Sequence, residues 1–155
     1  MKYKLINKTK ISRTDLEAAI NFCAPKGITN FNVIVSYDKK FEWHAFAYPF
    51  KKKKSIHIYI QKKPIRFPRI SNCKAATVAG YNPRYIIKDK YELLIHLFAH
   101  ELRHIWQSTV SNQNFLRTTL RTYTNSDGSE ESSIYKMERD ACKYAKKVIQ
   151  KYRKL

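Results

Sequence analysis

A chain of 155 residues that is 43% hydrophobic and 14% aromatic can bury a core of its own, which excludes a disordered polymer and predicts one domain over residues 1–155. The formal net charge of +19 draws nucleic acid, acidic proteins or anionic surfaces without choosing among them. The leading MKYKLINKTK lacks an apolar signal segment, and no run approaches the roughly 18 apolar residues of a membrane span, so the expectation is a cytoplasmic protein with no membrane partner. Cys23, Cys73 and Cys142 are odd in number and widely spaced, which fits a reducing compartment and forms no zinc-knuckle pattern.

Residues 1–11 hold a short leading strand, YKLI, or an arm. Thr14 with Glu17 three residues on reads as a capping box, and Leu16, Ala19, Ile20 and Cys23 share one face. A helix is predicted over Thr14–Ala24, stopped by Pro25 and Gly27. Phe31–Tyr37 is β-branched and apolar, hence a strand. Asp38-Lys39-Lys40 turns it into Phe41–Tyr48, where Phe41, Trp43, Ala45 and Ala47 alternate with Glu42, His44, Phe46 and Tyr48. In Ser55–Gln61 the residues Ile56, Ile58 and Ile60 alternate with His57, Tyr59 and Gln61. Three consecutive strands with short connections predict an antiparallel meander with helices on one face, an α+β architecture. Residues 62–74 carry Pro64 and Pro68 and read as a loop; Ala76–Tyr81 and Arg84–Lys88 flank Asn82-Pro83 as a hairpin.

The stretch Tyr91–Gln107 carries His100-Glu101-Leu102-Arg103-His104. Asp89 with Glu92 marks a helix start, and Leu93, Leu94, Leu97, His100, Glu101, His104, Ile105 and Ser108 follow at helical spacing. Residues four apart stack one turn above the other, so His100 and His104 can aim two imidazoles at one zinc ion, with Glu101 beside them as a base that need not bind the metal. A catalytic zinc needs a third protein ligand, and no His follows His104. His96, one turn earlier, reads as a packing or outer group, and His44 and His57 as surface or packing residues on strands.

Residues 111–128 are polar and read as a short helix and a rim of the cleft, with a turn at Asn125-Ser126-Asp127-Gly128. A last helix begins at Ser129-Glu130-Glu131, and Ile134, Met137, Ala141, Ala145, Val148, Ile149 and Tyr152 make its apolar stripe. Glu138 falls inside that stripe, where a carboxylate needs a metal, a donor network or a Lys or Arg partner. Asp140 falls off the stripe and is the fallback ligand or an outer partner. Small residues Ala141, Cys142 and Ala145 would let this helix approach the first closely.

His-Glu-Leu-Arg-His on one helix and Glu-Arg-Asp-Ala on a second resemble the gluzincins, zinc peptidases whose third metal ligand is a glutamate. The small size resembles their minimal, minigluzincin members; ImmA/IrrE-like and SprT-like peptidases are related groups. The resemblance covers Tyr91–Gln107 and Ile134–Ile149 and is looser over the sheet. It implies a small zincin-like domain: an N-terminal helix, an antiparallel-rich sheet of roughly three to five strands, the motif helix and a C-terminal ligand-bearing helix. It implies zinc held by His100, His104 and Glu138, and Glu101 as general base and acid in hydrolysis of peptide or protein substrates. An edge strand before the motif helix, 76–81 or 84–88 by position, would pair with an extended substrate. Tyr123, Tyr135 and Arg121 are candidates to stabilise the transition state. One departure stands out: where some gluzincins place an Asp four residues after the ligand Glu, this chain has Cys142, which leaves the outer partner of His100 unassigned.

The rival expectation is a basic nucleic-acid-binding protein whose metal site is structural or absent; a hybrid is a peptidase acting on nucleic-acid-bound proteins. Lys51–Lys54 and Lys62–Lys63, interleaved with Phe50, Tyr59 and Phe67, are its densest clusters, and the plainer reading of them is a solvated loop. Self-association into a latent form, and a capping thiol at Cys73, are further expectations.

Overall fold

Alternation of apolar and polar residues builds the sheet, and helical periodicity builds the layer that covers one side of it. The computed structural model describes residues 1–38, 44–49, 52–60, 87–110, 122–124 and 130–155; within these, side chains are described except at His44 and at residues 122–124 and 130–136. The elements in order are β1 (Tyr3–Asn7), α1 (Arg13–Cys23), β2 (Phe31–Tyr37), β3 (His44–Tyr48), β4 (Lys54–Ile60), α2 (Lys90–Thr109), β5 (Thr122–Thr124), β6 (Glu130–Ser132) and α3 (Ser133–Tyr152). The fold is mixed α/β.

The main sheet runs β1-β2-β4-β3. β1 is parallel to β2 and β2 is parallel to β4, while β3 pairs antiparallel with β4. The expected meander is therefore overturned in part. The β3–β4 hairpin is there, but β4 rather than β3 lies against β2, and the sheet is not antiparallel-rich. Side-chain size supplies the reason. β4 points Ile56, Ile58 and Ile60 inward, all buried, and such bulk belongs in the sheet centre beside Val33 and Val35. β3 points only Ala45 and Ala47 inward, small enough for the sheet edge where a helix passes close.

The inward residues of β2 and β4 join Leu16, Ile20, Leu94, Phe98, Leu102, Ile105, Ala145 and Ile149 in one core. The helices thus share one face of the sheet. Helix α1 starts a residue earlier than expected and is capped differently: Ser12 Oγ accepts from Asp15 N at 3.2 Å, and Glu17 pairs with Arg13 instead of closing a box on Thr14.

Helix α2 begins as anticipated, with Asp89 Oδ1 accepting from the Tyr91 and Glu92 amides at 2.8 and 2.9 Å. Glu92 does not reach back to its cap; it accepts from Lys88 N at 2.6 Å and pairs with Arg153 at the end of α3. Helix α3 starts at Ser133, so Ser129-Glu130-Glu131 is not its beginning: Glu130 and Glu131 lie in β6, paired antiparallel with β5. The two long helices run antiparallel, Glu92 meeting Arg153 at one end and Gln107 meeting Met137 at the other. Ala141, Cys142 and Ala145 are buried between them, the small side chains that the close approach requires.

No helix is long and apolar enough to cross a membrane among the described residues. Cys73, Lys62–Lys63, Phe50, Phe67, Lys51, Arg121, the turn at Asn125–Gly128, the 76–81 segment and most of 84–88 lie outside the described residues.

Candidate metal centre

Helix α2 presents His100 and His104 one turn apart with Glu101 next to His100, and α3 meets it at Glu138. His100 Nε2 lies 3.1 Å from Glu138 Oε2, His104 Nε2 lies 3.2 Å from Glu138 Oε1, and the two Nε2 atoms are 3.2 Å apart. Donors about 2.0–2.1 Å from one tetrahedral ion stand about 3.3–3.4 Å from each other. The nitrogen–nitrogen distance sits close to that edge length, while each nitrogen meets its own oxygen of the carboxylate. Among the described residues, these three side chains form the group able to hold a metal ion.

The outer nitrogens of the two rings are held differently. Gln107 directs its amide NH₂ at two pure acceptors, the Met137 carbonyl at 3.0 Å and Asp140 Oδ2 at 2.8 Å. Its Oε1 must then face His104 Nδ1, 2.9 Å away, which makes that nitrogen the N–H and leaves a lone pair on Nε2. Asp140 is held in turn by Arg103, whose Nε and Nη2 donate to its two oxygens at 2.7 and 3.1 Å. The guanidinium of Arg103 lies over the Trp106 ring, 3.7 Å from its centroid. A chain Trp106–Arg103–Asp140–Gln107–His104 therefore fixes one imidazole. On the other, His100 Nδ1 faces the buried Cys142 Sγ at 3.8 Å. Cys142 thus occupies the place whose usual tenant the resemblance would make an Asp.

Charge states follow the same geometry. Burial alone would raise the Glu138 carboxyl, but hydrogen bonds to His100 and His104 override it and hold the group well below the usual carboxylate range. Burial would also raise Asp140, and there the Arg103 and Gln107 bonds win. Glu101, 6% exposed, is pushed the other way by burial, against a hydrogen bond from the Ala47 backbone in β3 and the pull of both histidines. His96 is buried with its ring centroid 6.2 Å from that of His100, and burial draws its pKa down to about 3, so it is a neutral packing neighbour outside the three-donor group.

The donor set fits a divalent cation. Two imidazole nitrogens and a carboxylate converge on one point, a set that can hold a divalent cation when both Nε2 atoms carry lone pairs. Without a cation the same contacts are kept by protons on Nε2, the state in which the histidines hydrogen-bond Glu138. Asp140 stands outside the group as an outer partner. Gln107 and Arg103 went unassigned in the sequence, although Gln107 at His104 plus three shares the helix face that carried the motif. Tyr123 lies on β5 and Tyr135 on α3.

No protein-family model matches the chain, and neither a curated protein nor a solved structure does.

Proposed function

We propose that this protein is a zinc-dependent endopeptidase of the gluzincin type. The observation that carries the reading is the convergence of the His100 and His104 Nε2 atoms, 3.2 Å apart, on the two oxygens of the Glu138 carboxylate at 3.1 and 3.2 Å, with Gln107 accepting from His104 Nδ1. A zinc ion held there would lower the pKa of a water and polarise a peptide carbonyl. Glu101, buried beside the two ligands, takes the proton of the attacking water and delivers it to the leaving amine. Its raised proton affinity suits a base that must then act as an acid. The zincin-like reading of the fold rests on β3, the antiparallel edge strand whose Ala47 backbone bonds Glu101. Among the described residues no further strand pairs with β3, so an extended peptide could add to that edge and lie across the site.

The test is metal analysis of untagged protein, followed by digestion of casein or a peptide library. One zinc per chain, and hydrolysis abolished by chelation and by Glu101→Gln, would support the peptidase. Protein that takes up no metal, even with excess zinc, ends the proposal and leaves the nucleic-acid-binding alternative. Assays belong at low concentration, where self-association cannot block the cleft.

A further inference from the structure

The helices bury one face of the main sheet; the opposite face has a composition of its own. Its cross-strand rows are Lys4-Asn32-Ser55-Tyr48, then Ile6-Ile34-His57-Phe46, then Ser36-Tyr59-His44. Four rings form a continuous set. Tyr48 meets His57 edge-on at 5.0 Å between centroids, His57 tilts against Tyr59 at 6.4 Å, and Tyr59 meets Phe46 edge-on at 6.3 Å. Phe46 is 51% exposed, on a strand whose inward positions are alanines. A half-exposed phenyl on a sheet does nothing for the core that lies behind it.

A lysine cradle lies at one end of the sheet, where residues of both faces meet. Lys2, Lys4, Lys52, Lys53 and Lys54 line a depression of about 360 Å³ together with Asn30 and Asn32, and its lining contains no acidic residue. The stacked pair Tyr3–Phe31 also lines it, with centroids 5.5 Å apart. Asn30, at φ 58, turns the chain so that its amide reaches the Lys2 carbonyl at 2.7 Å, which holds Lys2 beside β2. Lys4 and Tyr48 belong to one row of the sheet, so the cradle joins the ringed face through Lys4 and Asn32, while Tyr3, Phe31 and Lys54 form a row of the other face.

We propose that this outer sheet face binds single-stranded nucleic acid, with phosphodiester groups on the lysine cradle and bases stacked on Phe46, Tyr59 and Tyr48. Lysines without acids match a polyanion, and aromatic rings spread over a sheet match unstacked bases, the two parts that single-strand binding combines. A duplex offers the charge but not the open base faces. The surface lies on the side of the sheet away from Glu138, so it would tether a nucleic acid without entering the metal centre. This inference is independent of the peptidase reading.

Fluorescence anisotropy of the full chain with labelled deoxythymidine and uridine oligomers of roughly 20 nucleotides tests it, since such platforms span roughly 4–16 nucleotides. Affinity should fall with salt at a log–log slope of about −0.7 per phosphate contacted, and Lys52→Glu with Lys53→Glu should flatten the slope by about 1.4. Phe46→Ala should weaken single-strand binding by roughly 5- to 150-fold, leaving heparin and duplex binding unchanged. Phe46→Ile, which keeps strand propensity but removes the ring, should behave as the Ala variant, and Phe46→Trp should restore binding. Glu138→Gln should bind the oligomers as the parent does, so loss of the metal reading would leave this result intact. The proposal is overturned by single-strand affinity that survives Phe46→Ile or the double lysine reversal, or by Phe46→Ile weakening heparin and duplex binding equally.

Discussion

Glu92 and Glu138 both bridge α2 and α3, and the interface meets them in opposite ways. Glu92, with its side chain 2% exposed, is answered completely: Arg153 donates to it through Nε and Nη2, and the Lys88 amide adds a third bond. Among the described residues Glu138 is answered by imidazole nitrogens, in a chain with 31 lysines and arginines. The Arg103 guanidinium goes instead to Asp140, two residues further along. One cluster is a closed ion pair that holds helix to helix. The other gathers three metal-ligand side chains that could hold a cation. Buried charge by itself marks neither stability nor chemistry; whether its partner is a fixed side chain decides which.

The largest way to sharpen this contrast is Glu101→Gln. Removing a general acid–base group should cut peptide hydrolysis by about 10²–10⁴-fold while zinc content stays at the parent level, read by turnover beside metal analysis. Hydrolysis that persists would dissolve the distinction between the two clusters. Arg153→Ala is the matching blow to the closed pair. It strands a buried carboxylate, and because Lys88 N remains, the loss should fall near the low end for buried pairs, about 3 kcal/mol in urea unfolding, with zinc binding unaltered.

Gln107→Leu probes the relay behind His104. It removes the acceptor on Nδ1, and outer-partner changes of this kind weaken metal affinity by about 10–100-fold, measurable by competition with a chromophoric chelator. The smallest effect is a pH signature at Glu92. Arg153 foremost, with the Lys88 amide, holds its carboxyl below the usual range against burial. The pair's stability is thus fully present above the unfolded pKa and lost as pH falls through the depressed folded value. The stability gap between parent and Glu92→Gln should be constant near neutrality and shrink below pH 4.5, the ordinary value for the group. A gap that widened in acid would mean that the pair is not what fixes this end.

Much of the helix layer was legible in advance. Asp89 caps α2 as its side chain and the Glu at the third position suggested, and the periodic residues Leu93, Leu94, Glu101, His104 and Ile105 are buried. Ala141, Ala145, Val148 and Ile149 fall on the buried side of α3. The faces of β3 and β4 follow their alternation. What misled was the reading of short-range capping as final. Ser12 displaced Thr14 as cap, and β6 took Glu130 and Glu131 away from the helix, because a hydroxyl or an acid near a helix start fits several neighbouring registers equally well.

By itself the chain determined its periodicities: which residues face inward, where α2 begins, and that two histidines share a helix face, since all of these depend on neighbours three or four positions apart. The tertiary structure alone decided that β4 lies between β2 and β3, that Glu138 rather than Asp140 meets the histidines, and that Gln107 and Cys142 stand behind them. Those outcomes depend on groups some thirty to forty residues apart, brought together by burial of isoleucines in the sheet centre and by small residues between two helices. Burial of that kind has no local spacing to betray it.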